Sequence, residues 1–463
     1  MMPEMIATVA VEADSDNTKI YVRSVKGFYQ RLRRYTGIPL LAAYFLTPWF
    51  SIADRPAVLF NLTAQKFHIF WLTFWPQDSI FLTLLLIMAA FLLLTVTVFV
   101  GRVWCGFTCP QTIWSLMFSW AENKCEGDRN QRIKLDKQPW SMNKALRRIA
   151  KHTIWLVISL ATGLTFVGYF YGIQDLIVEV ATLKANGIAC FWISFFLVCT
   201  YINAGWLREK VCQHMCPYAR FQSVMYDKNT LTVTYDAVRG ESRGARKNNQ
   251  DYKAMRLGDC LDCHWCVQVC PVDIDIRDGL QYACIDCGLC IDACNNVMDK
   301  VGYQPGLIRF TSQGALETGK NTIFRPLLAG YLTALVAVAG LFAYGLGEIN
   351  TVGLDVARDR GSKLFHRKNG GIENVYTVKI RNKNRDVMRF QLSVDGQQNY
   401  QLESPEIITV DKGEVRVFPV RIWLSQREVK NRSEHLNIVV HSIEKPELGA
   451  KQKTSFIGPG FFF

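Results

Sequence analysis

The segment 260–294 reads CLDCHWCVQVCPVDIDIRDGLQYACIDCGLCIDAC and holds eight of the fifteen cysteines. Cys260, Cys263, Cys266 and Cys270 follow C-x2-C-x2-C-x3-C, with Pro271 directly behind. Cys284, Cys287, Cys290 and Cys294 repeat that spacing, with Asn295 where the proline stood. Three thiolates at x2 spacing wrap one face of an iron–sulfur cube, and the fourth cysteine of each run crosses to the other cluster. The spacing predicts one 4Fe–4S cluster on Cys260, Cys263, Cys266 and Cys294. It predicts a second on Cys284, Cys287, Cys290 and Cys270. Structural zinc pairs two C-x2-C knuckles across a longer loop and needs neither the third cysteine nor the proline. Asp273, Asp275, Asp278 and Gly279 have the look of a calcium loop, but Cys284 occupies the place of the last EF-hand glutamate. These acids read as a solvated connector.

A second set of thiols is duplicated. Residues 102–110 read RVWCGFTCP and residues 209–217 read EKVCQHMCP. Both are C-x3-C-P, offset by 107 residues, and each follows an apolar run. Trp114 and Phe118 trail the first, Phe221 and Met225 the second. This reads as an internal duplication of a two-span unit, each ending in paired thiols at the membrane surface. C-x3-C spacing puts Cys105 near Cys109, and Cys212 near Cys216, about one helical turn apart on one face. Two such pairs brought together make a four-thiolate site, and soft thiolates select Cu(I), zinc or iron–sulfur centres. His214 and Met215 inside the second pair also suit copper. The bland alternative is burial of small residues at helix ends. Cys190 and Cys199 lie inside an apolar run and read as packing residues. Cys125 has no partner by spacing.

The elements that must position these thiols are membrane spans. The chain has 463 residues, nearly half of them hydrophobic, and a net charge of +13. Clustered cysteines, absent from the C-terminal third, argue against a secreted disulfide scaffold. No cleavable signal peptide is expected, because the first apolar run begins after about 35 residues and reads as a span. Spans are expected at about 36–53, 80–100, 153–172, 187–206 and 324–346. The first is short and interrupted by Pro39 and Pro48, against the roughly 20 apolar residues a span needs. Residues 19–34 carry Lys19, Arg23, Lys26, Arg31, Arg33 and Arg34 and no acid. The loop 102–151 holds ten Lys/Arg against four acids, and 173–186 one Lys against two acids. By the positive-inside rule the N-terminus and 102–151 are cytoplasmic and 173–186 external. The stretch 207–323 with its cluster cysteines is then cytoplasmic, in the reduced compartment, and 347–463 is periplasmic in a bacterium.

Residues 1–18 read as a polar tail. Between the second thiol pair and the clusters, 227–259 is polar and basic, with one short strand at 230–236. Arg239, Arg243, Arg246 and Lys247 read as a solvated loop near anionic headgroups. The aromatics there form no stacking platform, which argues against nucleic acid. Residues 370–456 alternate polar and apolar, with turns at Asp395-Gly396 and Lys412-Gly413. About seven short strands at this spacing predict an immunoglobulin-like sandwich without a disulfide, suited to protein contact. The fold class is a polytopic α-helical membrane protein of about five spans, with a ferredoxin-like two-cluster domain and a C-terminal immunoglobulin-like β-sandwich. Its expected domains are a tail (1–35), a four-span domain (36–226), the cluster domain (227–323), a fifth span (324–346) and the sandwich (347–463).

The order of spans, the two C-x3-C-P elements, DIDIRDGLQYACIDCGLCIDAC and the sandwich together resemble the cytochrome c oxidase accessory family called CcoG, FixG or RdxA. The resemblance implies a bacterial inner-membrane protein that helps assemble the cbb3-type haem–copper oxidase. It implies reduction of Cu(II) to Cu(I) as the activity. Oxidase subunits, copper chaperones or transporters, and a cytoplasmic electron donor are the expected partners, and a homo-oligomer is compatible with it. The family's cluster cysteines map onto the eight above and its membrane thiols onto Cys105, Cys109, Cys212 and Cys216, read here as the copper ligands and the catalytic set. Two alternatives stand beside it: a membrane ferredoxin in a quinol-linked chain, and a non-catalytic scaffold or redox sensor. The spans hold no His pair for a haem relay, His152 standing at the edge of the third, which weakens the quinol reading.

Overall fold

The computed structural model describes residues 20–459, apart from 53–54, 71, 247–254, 321, 323–324, 348–351, 360–364, 369, 385 and 430. The expected tail 1–18 and Lys247 lie outside the described residues. The chain divides into two compact units, Met1–Phe342 and Ala343–Phe463.

Among the described residues, four helices are long and apolar enough to cross a membrane: Ser79–Val100, Met142–Tyr171, Gly187–Leu207 and Pro326–Gly347. The expected first span at 36–53 is not one of them. Its helix, Phe28–Leu46, starts inside the basic stretch, so only its later half is apolar. Pro48 then sits in a tight 3-10 turn, Thr47–Trp49, that ends it. The helix nonetheless lies along Met142–Tyr171. Tyr44 Oη donates to the carbonyl of Thr162 (2.9 Å), and Tyr169 Oη donates back to the carbonyl of Tyr44 (2.9 Å). A three-stranded sheet, Val58–Asn61, Lys66–Ile69 and Leu72–Phe74, follows it. Phe60 in this sheet meets the Phe170 ring at 5.6 Å. The sequence reading did not anticipate that sheet.

The third span runs over 30 residues, well back into the basic loop, with Ser141 capping its start by accepting from the Lys144 N–H (3.3 Å). The fourth begins as an α-helix, Gly187–Thr200, and widens to a π-helix over Tyr201–Leu207. Such widening is often found at functional sites. Gly205 on this turn packs on Trp155, where a Cβ would stand 3.0 Å from the ring.

The cluster cysteines are framed by a two-stranded ladder, Thr232–Tyr235 against Ile308–Thr311, and by the helix Leu289–Val301. The expected strand at 230–236 is thus present and paired. The basic N-terminal segment is docked rather than loose. Arg23 N donates to the carbonyl of Gln268 (2.8 Å), Asn296 Nδ2 to that of Lys26 (2.8 Å), and Tyr29 N and Gln30 N to the Asp292 carboxylate. Asp292 therefore satisfies the free N–H groups that open the first helix.

The second unit is a sandwich of nine strands among the described residues. One sheet orders Gln401–Glu403, Val415–Ser425, Gly371–Asn382 and Val352–Arg358, with His366–Lys368 also pairing Gly371–Asn382. The other orders Ile408–Val410, Met388–Asp395, Ser433–Ser442 and Gly449–Ile457. Period-two alternation turns Ile372, Tyr376, Val378, Ile380, Phe390, Ile422 and Ile438 into one core. Val352–Arg358, ahead of the alternating stretch that begins near 370, completes the first sheet.

Candidate metal and electron-transfer centre

The cluster cysteines gather around two cavities. Cys260, Cys263, Cys266 and Cys294 line one of about 370 Å³, together with Trp265, Arg277 and Met298. Cys270, Cys284, Cys287 and Cys290 line another of about 350 Å³, which Cys266 also borders. The fourth cysteine of each run reaches the other run's cavity. The two loops share a backbone design. Asp262 and His264 in one, and Asp286 and Gly288 in the other, have left-handed φ values between 48° and 71°. Asp and Gly enter that region most readily. Such turns face successive N–H groups inward, a concavity suited to anionic cluster sulfurs. The donor sets and the loop geometry fit two 4Fe–4S groups.

Burial pushes the thiols of Cys266, Cys270 and Cys294 up to about 12, and raises those of Cys284 and Cys290 well above the ordinary thiol value. Metal uptake must therefore displace protons from these sites. Of the eight cluster cysteines only Cys263, on the first cavity, is exposed. Arg277 closes part of that cavity. Its guanidinium, 3 % exposed, donates to Asp275 and Asp262 (both 2.5 Å) and meets His264 Nδ1 at 2.9 Å. The expected solvated connector is thus partly a buried ion-pair network.

The duplicated C-x3-C-P elements share a geometry that differs from the expected one. Cys105 ends no continuous helix with Cys109, and Cys212 none with Cys216. Cys109 (φ −60°, ψ 130°) and Cys216 (φ −80°, ψ 111°) are both extended and open the helices Pro110–Cys125 and Pro217–Val224. Proline drives the residue before it out of the helical region, so each thiol pair straddles a bend.

The two copies grip each other reciprocally. Gln111, directly after the first Cys-Pro, donates to the carbonyls of Asn203 (3.1 Å) and Arg208 (3.0 Å) at the end of the fourth span. Tyr218, at the equivalent place, donates to the carbonyl of Leu93 (3.2 Å) and meets Thr97 Oγ1 at 3.0 Å, near the end of the second. Cys105 Sγ donates to Gln222 Oε1 of the other copy (3.4 Å). Each of the four thiols lies within the electrostatic reach of others in the set, and burial pushes Cys105 and Cys212 up to about 12. His214 and Met215 are exposed, unlike the cysteines that flank them. Cys190 is exposed as well, so it does not pack within this chain as expected; Cys199 and Cys125 are half-buried.

The thiol quartet abuts the second cavity. Cys105 packs in one apolar cluster with Val269, Val272, Ile285, Cys287 and Leu289, and Cys270 lies against it. Sequence reasoning missed two residues at this junction. Arg102, buried, donates its backbone N–H to Asp286 Oδ2 (2.8 Å) and its guanidinium to the carbonyls of Tyr282 and Ala219. Asp286, also buried, accepts from Val233 N (3.0 Å) and Tyr226 Oη (3.3 Å). An arginine at the end of an apolar run, and an Asp inside a cluster loop, were the available signals.

Comparison with known proteins agrees with this architecture. The 4Fe-4S dicluster domain matches residues 207–313, and a 4Fe-4S binding domain matches 81–124, which includes Cys105 and Cys109. The IG-like fold at the C-terminal of FixG matches 342–459. The chain is 36 % identical over 415 residues to nitrogen fixation protein FixG of Rhizobium meliloti, covering 82 % of this chain and 79 % of that one. It is 37 % identical over 395 residues to protein RdxA of Cereibacter sphaeroides, covering 82 % of each. A FixG-related protein from Vibrio parahaemolyticus has a solved structure that covers 24 % of this chain and 97 % of its own, at 25 % identity and a TM-score of 0.22. With its apolar helices, its two 4Fe–4S domains and its sandwich, the chain is an iron–sulfur electron-transfer protein of the membrane and belongs to the FixG/RdxA family.

Proposed function

We propose that this protein is an oxidoreductase that takes Cu(II) as substrate and releases Cu(I) for assembly of a cbb3-type cytochrome c oxidase. The observation that carries the reading is that Cys105 and Cys287 share one apolar cluster, against which Cys270 also packs. It sets a soft-ligand site directly beside the set Cys270, Cys284, Cys287 and Cys290. Cys260, Cys263, Cys266 and Cys294 hold one cluster and that set the other. When bound, 4Fe–4S clusters supply one-electron transfer, and each Cu(II) consumes one electron on becoming Cu(I). Cys105, Cys109, Cys212 and Cys216 hold the copper. Their thiolates favour Cu(I), the softer ion, over Cu(II). Exposed Cys263 suits entry of electrons from a soluble cytoplasmic donor.

In this reading the N-terminus, the thiol quartet and the clusters face the cytoplasm and the sandwich faces the periplasm. The basic loop 102–151 supports that orientation. Copper chaperones, transporters or oxidase subunits are the partners that receive Cu(I) or dock on the sandwich.

The test is a single-turnover reaction. Purified protein with reconstituted clusters is reduced, freed of excess reductant and mixed with Cu(II), and Cu(I) is followed with a Cu(I)-specific chelator. Stoichiometric Cu(I) with reoxidised clusters, absent from a Cys260→Ser/Cys284→Ser variant, is the expected result. Clusters that stay reduced in the presence of Cu(II) would sink the reading.

A further inference from the structure

We propose that Arg102 is the buried counter-charge of the thiol quartet, a positioning residue that makes the site favour the reduced metal–thiolate complex. The inference rests on the reading of Cys105, Cys109, Cys212 and Cys216 as a copper site.

Arg102 is 3 % exposed, and among the described residues its guanidinium is bonded to two backbone carbonyls, of Tyr282 and Ala219. Its Nε is buried without a hydrogen-bond partner. Asp286 is the acid at hand, and it takes the backbone N–H of Arg102 rather than the guanidinium. Among the described residues, no carboxylate forms an ion pair with this side chain. A charge taken out of water costs several kcal/mol unless a partner balances it. The carbonyls supply partial charge only.

The position of the guanidinium supplies the missing partner. Tyr282 precedes Cys284, Ala219 follows Cys216, and Arg102 itself precedes Cys105. One cation thus ties together the first thiol element, the second thiol element and the loop of the neighbouring cluster set. Arg33, also buried, donates its Nε to the carbonyl of Gly106, the residue after Cys105 (3.0 Å). The second copy of the repeat carries Glu209 where the first carries Arg102, so the duplication has made this charge specific to one side.

A metal bound by several thiolates is an anion. Two thiolates on Cu(I) give a net charge of −1, and each further thiolate adds another. Reduction of Cu(II) to Cu(I) on fixed ligands makes the complex more negative by one unit, with no bond formed or broken. A fixed buried cation lowers the energy of the reduced complex more than that of the oxidised one. Arg102 would then bias the site toward Cu(I), while its carbonyl bonds hold the two thiol elements against the cluster loop.

The experiment measures the Cu(I):Cu(II) ratio at the thiol site of the full-length protein, poised with redox buffers, in the wild type, Arg102→Lys and Arg102→Gln. Cluster content is read from the same samples by EPR. In Arg102→Gln the ratio at fixed potential is expected to fall about tenfold, which is about 59 mV for one electron. In Arg102→Lys, which keeps the charge but loses the planar fork, it is expected to stay within about twofold of wild type. An unchanged ratio in Arg102→Gln overturns the proposal. So does an equal fall in both variants, which marks a purely structural role. If Arg102→Gln fails to assemble its clusters, Arg102→Lys decides alone: a wild-type ratio supports the counter-charge, and a low ratio overturns it. Copper that remains at the same potential in a Cys105→Ser/Cys212→Ser variant removes the site itself, and the proposal with it.

Discussion

A Cβ placed on Gly106 would stand 2.9 Å from Cys287 Cα and 2.7 Å from the Ile285 carbonyl oxygen. The helical turn Val103–Phe107, which carries Cys105, therefore lies against the backbone of the second cluster loop with only a hydrogen atom between them. Backbone cannot yield as a flexible side chain would. Gly106→Ala must lift the thiol turn away from residues 285–287, at an overpacking cost of about 1–3 kcal/mol. Electron transfer weakens steeply with separation, so Cu(I) formation in single-turnover mixing is expected to slow at least tenfold. Copper binding and cluster spectra should remain. An unaltered rate in a folded Gly106→Ala variant would show that this contact does not set the transfer distance.

The two cluster sets differ in access. Cys263 is exposed, whereas none of Cys270, Cys284, Cys287 and Cys290 is, and Arg102 and Asp286 clamp the loop of that second set. An iron chelator acting on the oxidised full-length protein is expected to remove iron in two phases. The first, about half the iron, comes from the set containing Cys263. Cys263→Ser should abolish the fast phase and leave the slow one. A single phase for all the iron would contradict this asymmetry.

A local rule, x2 spacing plus crossover, assigns the eight cluster cysteines to two sets of four. Cys260, Cys263, Cys266 and Cys294 line one cavity, and Cys270, Cys284, Cys287 and Cys290 line the other, which Cys266 also borders. The thiol quartet was legible as a duplication but not in its conformation. Pro110 and Pro217 disfavour a continuous helix through Cys109 and Cys216, which the helical spacing of the cysteines does not register. Arg102 and Asp286 were invisible as partners, since 184 residues separate them and nothing local marks the pairing. The docking of the N-terminal segment was hidden for the same reason. Tyr21 Oη donates to Asp136 (2.6 Å), and Arg23 lies over Trp265 (4.0 Å), both across long sequence separations. The first expected span is displaced for a different cause: its helix, Phe28–Leu46, borrows half its length from charged residues, so the apolar run marks only its later half.

The sandwich core is dense enough for a large, local penalty. Phe390 is fully buried among Tyr376, Ile408 and Val440. Phe390→Ala removes most of an aromatic side chain from a site that can close only in part. The expected loss is about 3–5 kcal/mol. Calorimetry of the full-length protein should show the cysteine-free unit unfolding at lower temperature, while the cluster absorbance persists to the wild-type temperature. A single transition in which clusters and sandwich are lost together would mean that the two units do not unfold separately.

Arg389 and Glu444 form an exposed pair whose pH dependence has a definite sign. Arg389 donates through Nε to Glu444 Oε1 (2.7 Å) and through its backbone N–H to Oε2 (3.1 Å). The first of these bonds is the larger cause, and together they hold the Glu444 carboxyl down to about 2, from an ordinary value near 4.5. A carboxyl whose pKa is depressed by folding contributes stability that is complete above the unfolded value. That contribution fades as pH falls from about 4.5 through about 2. Because the pair is solvated, salt screens it. Carboxyl NMR of Glu444 is expected to show a midpoint near 2 at low ionic strength that rises as salt is added. The stability difference between wild type and Glu444→Gln should be the same at pH 7 and pH 6 and shrink between pH 4 and pH 2. A midpoint near 4.5 at low salt would mean that the Arg389 contact is not populated in solution.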